Sequence, residues 1–237
     1  AACAPRGAPV TLAALLVVTP LLAQDTTAGR GGRAGRGGGR AVVITDTARA
    51  RALFVSKSPA DLAGCGTTCD TQIRQRVQTD SSYEARAKGV MEFRKVTYKS
   101  RVDGLEIPAY LFAPLAKNPA KHAALVWVHG GVHSAWGLGM WPFVRDAVQR
   151  GYVVITPNYH GSIGFGQAFT EQISGDWGGA CYEDVMKSAD YMESLPYVDK
   201  TRIGAAGASA GGYMVNWIAG HTNRFKALVS HDGVYES

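Results

Sequence analysis

Three features of the sequence predict an α/β fold, a mostly parallel sheet with helices on both faces. Continuous apolar runs at 123–128 and 152–156 have the length and branching of strands buried from two sides. Stretches with apolar residues at helical spacing alternate with such runs. Gly207-Ala208-Ser209-Ala210-Gly211 then joins a strand-like segment to a helix-like one in a sharp corner.

The elements follow in chain order. Residues 47–55 and 72–88 carry helical spacing, although nothing in them assigns a role to the basic stretch 41–92. Residues 93–98 alternate as a strand, Asp103-Gly104 reads as a tight hairpin turn, and 107–112 return as the partner. After 123–128, Met140, Trp141, Val144, Ala147 and Val148 share one helical face, which Gly151 ends. Residues 152–156 form the next strand, closed by Pro157. Tyr182, Val185, Met186, Ala189 and Met192 mark another helix; 203–206 is a strand, 210–220 a helix and 227–230 a strand.

The N-terminal part is of a different kind. Residues 10–23 form a short apolar run with Arg6 before it and Ala23 at its end, the layout of a cleavable export signal. At this length, and interrupted by Pro20, the run is too short for a comfortable membrane span. Residues 24–40 are rich in Arg and Gly with little to bury, and read as a disordered linker. Such a run can bind RNA, but after an export signal a linker is the better reading, and no nucleic-acid partner is expected. The +6 formal charge is concentrated in the first hundred residues, so it says nothing about the substrate of the α/β part. The expected organisation is a signal at 1–23, a linker at 24–40, an unassigned segment at 41–92 and a catalytic domain at 93–237. Secretion or a periplasmic location follows. Cys65 and Cys69 could close a local disulfide in an oxidising compartment, whereas Cys181 reads as an ordinary buried thiol. No metal or other cofactor is expected.

The chemistry rests on two segments. In Gly-x-Ser-x-Gly between strand and helix, Gly207 and Gly211 let the chain turn tightly enough to expose Ser209 as a nucleophile. His129-Gly130-Gly131 follows a buried strand directly, so its amides can turn toward a substrate oxygen. Gly131 and Ala210 are the expected oxyanion donors, and His129 reads as structural. Asp232, after the 227–230 strand, is a candidate acid. None of the histidines is placed as the base.

His129-Gly-Gly131, Asn158-Tyr-His-Gly-Ser-Ile-Gly-Phe-Gly166, Gly175-Asp-Trp-Gly-Gly179, Asp199-Lys-Thr-Arg-Ile-Gly204, Gly207-Ala-Ser-Ala-Gly-Gly-Tyr-Met214 and His221-Thr-Asn-Arg-Phe-Lys-Ala227 recur in that order. From residue 93 onward the chain therefore resembles the catalytic domain of the prolyl oligopeptidase family of serine peptidases, in its acylaminoacyl-peptidase and dipeptidyl-peptidase branches. The resemblance implies an α/β-hydrolase fold, Ser209 as nucleophile, and Gly131 and Ala210 as oxyanion donors. It also implies that the last strands of the sheet, with the catalytic Asp and His, lie beyond Ser237, so that the chain as given is inactive. The family commonly has Arg where this chain has His160, and often Pro where it has Val132. The space before residue 93 is too short for the family's β-propeller.

The expected function is a serine-type peptidase acting on peptides through an acyl-enzyme on Ser209. The alternatives are a secreted carboxylesterase accepting small esters on the same fold, and an inactive truncated hydrolase serving as a binding module. Oligomeric state is open.

Overall fold

The computed structural model describes residues 53–59, 61, 66–131 and 133–235. The expected signal, the Arg/Gly-rich linker, most of the 47–55 helix, the Cys65–Cys69 bridge and Val132 fall outside the described residues. Helix α1, Gly66–Ala87, leads into strands β1, Glu92–Lys99, and β2, Glu106–Ala113. Strand β3, His122–Val128, is followed by a 3-10 turn at Leu138–Met140 and helix α2, Trp141–Gln149. Then come β4, Val153–Pro157, the short α3, Gln167–Glu171, and α4, Ala180–Ser194. Strand β5, Val198–Ala208, helix α5, Ala210–His221, and strand β6, Ala227–His231, complete the order.

The strands form one sheet in the order β1-β2-β4-β3-β5-β6. The β1–β2 and β2–β4 pairs are antiparallel, and β3–β4, β3–β5 and β5–β6 are parallel. Strand periodicity sorts the core into two layers. On one face Ile107, Ala109, Leu111, Val126 and Ile155 pack with Val185, Met192 and Ile218 of α4 and α5. On the other face Tyr110, Phe112 and Val154 pack with Tyr83 of α1 and with Trp141, Val144 and Val148 of α2.

Two expectations need correction. Asp103-Gly104 is not a two-residue hairpin turn, because the register pairs Lys99 with Glu106 and leaves 100–105 as the connection. That longer turn is closed by the Ser100 amide donating to Leu105 O (2.8 Å) and the Leu105 amide donating to Asp103 Oδ1 (3.0 Å). Strand β3 is also not buried from both sides. Ala124, Val126 and Val128 are buried, whereas Leu125 and Trp127 are half-buried beneath α2; β4 is buried along its whole length.

The segment before β1 has a structural role that its sequence did not disclose. Tyr83 meets Tyr110 and Phe112 edge-on, with ring centroids 5.3 and 5.2 Å apart, and its hydroxyl donates to Gly137 O at 2.6 Å. Edge-to-face pairs of this kind add about 0.5–1.5 kcal/mol each beyond the area they bury. Upstream, the Val55 and Ser56 amides donate to Phe165 O, and Asp61 accepts from the Gln167 and Ala168 amides at the start of α3. Among the described residues no helix is long and apolar enough to cross a membrane.

Candidate active site

Ser209 sits between β5 and α5 with φ 55° and ψ −120°, a conformation that L-residues adopt only when their surroundings force it. The forcing contacts are backbone to backbone. A Cβ on Gly207 would lie 2.2 Å from Gly211 O, and one on Gly211 would lie 2.4 Å from Val128 O. Only glycine at both positions lets strand and helix approach this closely. The Ser209 amide donates to His231 O at 2.9 Å, and its carbonyl accepts from the Tyr213 amide at 2.9 Å. Ser209 itself is exposed. Its hydroxyl is turned out of the sheet and has no hydrogen bond to a described residue.

The 129–131 turn lies against this corner. A Cβ on Gly130 would come 2.7 Å from Ala208 O and 3.4 Å from Ser209 Cβ. Gly131 adopts φ 68°. Ala210 opens α5, so its amide has no intrahelical acceptor and is free for an anionic oxygen. Ala210 also lines a small apolar recess of ≈ 20 Å³ with Tyr159, Trp177 and Tyr213. Gly130 and Ala208 line a cleft of ≈ 180 Å³ with His129, Ser134 and Trp136. Another cleft, of ≈ 360 Å³, lies between α1 and the 134–138 loop and takes no lining residue from the corner.

His129 is buried, and its ring stacks on Tyr159 at 4.3 Å and 12°. Its Nδ1 faces Gly130 O at 3.1 Å, and its Nε2 accepts from the Ser162 hydroxyl at 2.8 Å. Burial lowers its pKa to about 4, so the ring is neutral and structural at ordinary pH. The Tyr159 hydroxyl donates to His129 O at 2.8 Å. More of the loop after β4 grips the same turn. The Trp136 amide donates to Asn158 Oδ1 (3.0 Å), the Ile163 amide to Ser134 O (2.9 Å), and the His133 ring to Gly161 O (3.1 Å). Residues 158–166 are thus the bed on which the 129–131 turn rests.

The other histidines are engaged elsewhere. His122 donates from Nδ1 to Gly151 O (2.7 Å) and accepts the Asn118 amide (2.9 Å), and His221 bonds Trp217 O (2.7 Å). His160 is held between two aspartates. His231 pairs with Asp232 at 3.3 Å; Asp232 has φ 47° and an exposed carboxylate. No described histidine ring, nor the Asp232 carboxylate, hydrogen-bonds to the Ser209 hydroxyl. Cys181 is a buried thiol donating to Trp177 O (2.7 Å), its pKa pushed up to about 12 by burial. Among the described residues no cluster of three His, Cys, Asp or Glu converges to hold a metal ion.

Sequence reasoning missed Tyr159, Ser162 and Asp184 as parts of this assembly. Asp184 was the most visible of them, an acid beside Val185 and Met186 on an apolar helical face.

Known proteins align with this geometry. Residues 143–237 match the family model "Prolyl oligopeptidase family". Dipeptidyl-peptidase 5 of Aspergillus fumigatus is 46% identical over 137 residues, covering 55% of this chain and 19% of that protein. Dipeptidyl-peptidase 5 of Porphyromonas gingivalis is 44% identical over 119 residues, covering 48% and 17%. The chain thus spans about a fifth of the length of the curated relatives it matches. Among solved structures, an acylaminoacyl peptidase in complex with Z-Gly-Gly-Phe-chloromethyl ketone superposes with a TM-score of 0.57 at 28% identity, over 64% of this chain and 25% of that one. Acylaminoacyl peptidase of Pyrococcus horikoshii gives 0.54 at 29% identity, over 61% and 24%. The sheet is that of an α/β-hydrolase, and residues 143–237, the segment carrying Ser209, match the prolyl oligopeptidase family.

Proposed function

We propose that this chain supplies the nucleophile and oxyanion part of a serine-type peptidase. Ser209 Oγ attacks a peptide carbonyl, the amine leaves, and water resolves the acyl-enzyme. The Gly131 and Ala210 amides receive the developing negative charge, each such donor being worth about 3 kcal/mol. No described side chain is assigned as the base or as the orienting acid. The exposed hydroxyl of Ser209, held at positive φ beside Gly130, is the observation that supports this most. The apolar run at 10–23 supports export, with N-terminal sequencing of the mature protein as its check.

Substrates are peptides, and the discriminating measurement sets a dipeptidyl anilide against a simple aryl ester. It is made on the chain and on the product of its complete reading frame. Anilide turnover that drops by on the order of 10⁴-fold or more in Ser209→Ala is the expected result. Turnover of the ester alone would make the protein an esterase, and an unaffected Ser209→Ala would remove Ser209 as nucleophile.

A further inference from the structure

His160 stands where the resemblance leads one to expect arginine, and the structure gives it an arginine's task. The residue is 1% exposed. Its Nδ1 lies 2.5 Å from Asp184 Oδ2, and its Nε2 lies 3.0 Å from Asp103 Oδ2. Its backbone amide also donates to Asp184 Oδ2, at 2.9 Å. A neutral imidazole has one N–H and can donate to only one of two carboxylates. Two ring nitrogens facing two carboxylate oxygens require both to carry protons.

The surrounding groups favour the cation. Asp184 is fully buried, and its Oδ1 has no partner among the described residues, so the ring's charge compensates a carboxylate that is otherwise half-satisfied. Asp103, on the β1–β2 turn, also accepts from the Leu105 amide and from Gln172 Nε2. The Phe169 ring of α3 packs on the imidazole at 4.7 Å. Tyr98 on β1 donates its hydroxyl to Asp184 O, and both Tyr98 and Cys181 are kept neutral by burial. Arg101, on the same turn as Asp103, is paired with Glu183 and Asp190. The two aspartates take opposite sides of the ring, so the trio cannot converge on a metal ion.

The position of this clamp gives it a consequence. His160 directly follows Tyr159, whose ring and hydroxyl hold His129, and lies two residues before Ser162, which bonds the other side of that histidine. We propose that His160 is a positioning residue: an imidazolium clamped by Asp184 and Asp103 that fixes the 158–166 loop and, through it, the 129–131 turn. The proposal rests on the reading of that turn as the oxyanion element. Unlike an arginine, which would stay charged, the histidine titrates. Burial alone would lower the pKa of His160, but the bonds and charges of Asp184 and Asp103 outweigh it and raise the pKa above 6.5. Stability from the clamp is therefore full below pH 6.5 and is lost as pH rises through the folded value.

The test needs no catalysis, so its failure is distinct from failure of the peptidase assignment. Imidazole ¹⁵N resonances of His160 and amide exchange are followed by NMR on the chain as pH rises from 6. Expected are two protonated ring nitrogens at pH 6.5, the ring titrating above that value. As it does so, exchange at Ile163 and Trp136 should rise severalfold beyond its base-catalysed increase. Exchange at Val154 in the sheet should not. His160→Arg should keep the protection and abolish the step. A ring mostly singly protonated at pH 6.5, or titration that leaves Ile163 and Trp136 unchanged, overturns the proposal, as does an Arg variant that retains the step. Should His160→Arg fail to fold, the titration of the unsubstituted chain decides alone.

Discussion

At the 207–213 corner the tightest contacts of the flanking glycines are made by main chain, between residues near in sequence or on the adjoining strand end: Gly207 on Gly211, and Gly211 on Val128. In the 158–166 loop beside it, the contacts to His129 and to the two aspartates are made by side chains reaching across the fold, from Tyr159 and Ser162 to His129 and from His160 to Asp184 and Asp103. The corner is steric and therefore written as glycines at fixed spacing. The loop is polar and depends on partners that the chain brings together only when the sheet has formed. Geometry of the first kind cannot be relaxed gradually, whereas geometry of the second kind can be loosened one bond at a time.

That difference is open to attack by substitution. Gly211→Ala should be the most damaging, because its Cβ would meet backbone atoms of Val128 and His129 that cannot move aside. A loss of about 3 kcal/mol is expected from overpacking of this kind. Urea denaturation measures it, and a change below about 1 kcal/mol would show that the corner yields after all. Tyr159→Phe probes the loop. The ring stack on His129 remains, but the buried His129 carbonyl loses its hydroxyl donor, at a cost of about 1–3 kcal/mol. An unchanged unfolding midpoint would mean that the turn does not depend on its bed.

The mildest expected effect is at Asp61, where the alanine variant removes a cap from α3 at a cost of about 1 kcal/mol. Its acid dependence carries a sign. Burial opposes ionisation of Asp61, but hydrogen bonds from Ser56, Gln167, Ser58 and Ala168 outweigh it and lower the pKa below 3.8. The cap's contribution is therefore present above pH 3.8 and is lost as pH falls through the folded value. In Asp61→Ala that acid-side loss should shrink, and a stability profile parallel to that of the unsubstituted chain would argue against the cap.

Much of the fold was legible in the sequence because its signals were local. The apolar runs of β3 and β4, the helical spacing in α2 and α4 and the glycines around Ser209 each reported their own element. The 100–105 turn was misread because Asp103-Gly104 is a hairpin signal only when the flanking residues pair at once, and Ser100 and Leu105 instead close a wider loop. The burial of α1 against Tyr110 and Phe112 was hidden for another reason. Its face is built around a single tyrosine within a polar helix, and only the sheet beneath explains why that tyrosine is there. In the candidate site, the tight corner at Ser209 and the turn at 129–131 could be located from spacing. Tyr159, Ser162 and Asp184 could not, since their roles exist only across distant pairs.

The left-handed backbone at position 209 has an evolutionary corollary. A serine held at φ 55° costs on the order of 1–3 kcal/mol that a glycine would not. Selection for thermal robustness alone would therefore favour glycine at this position, so the serine is held here at a cost to the fold that carries it.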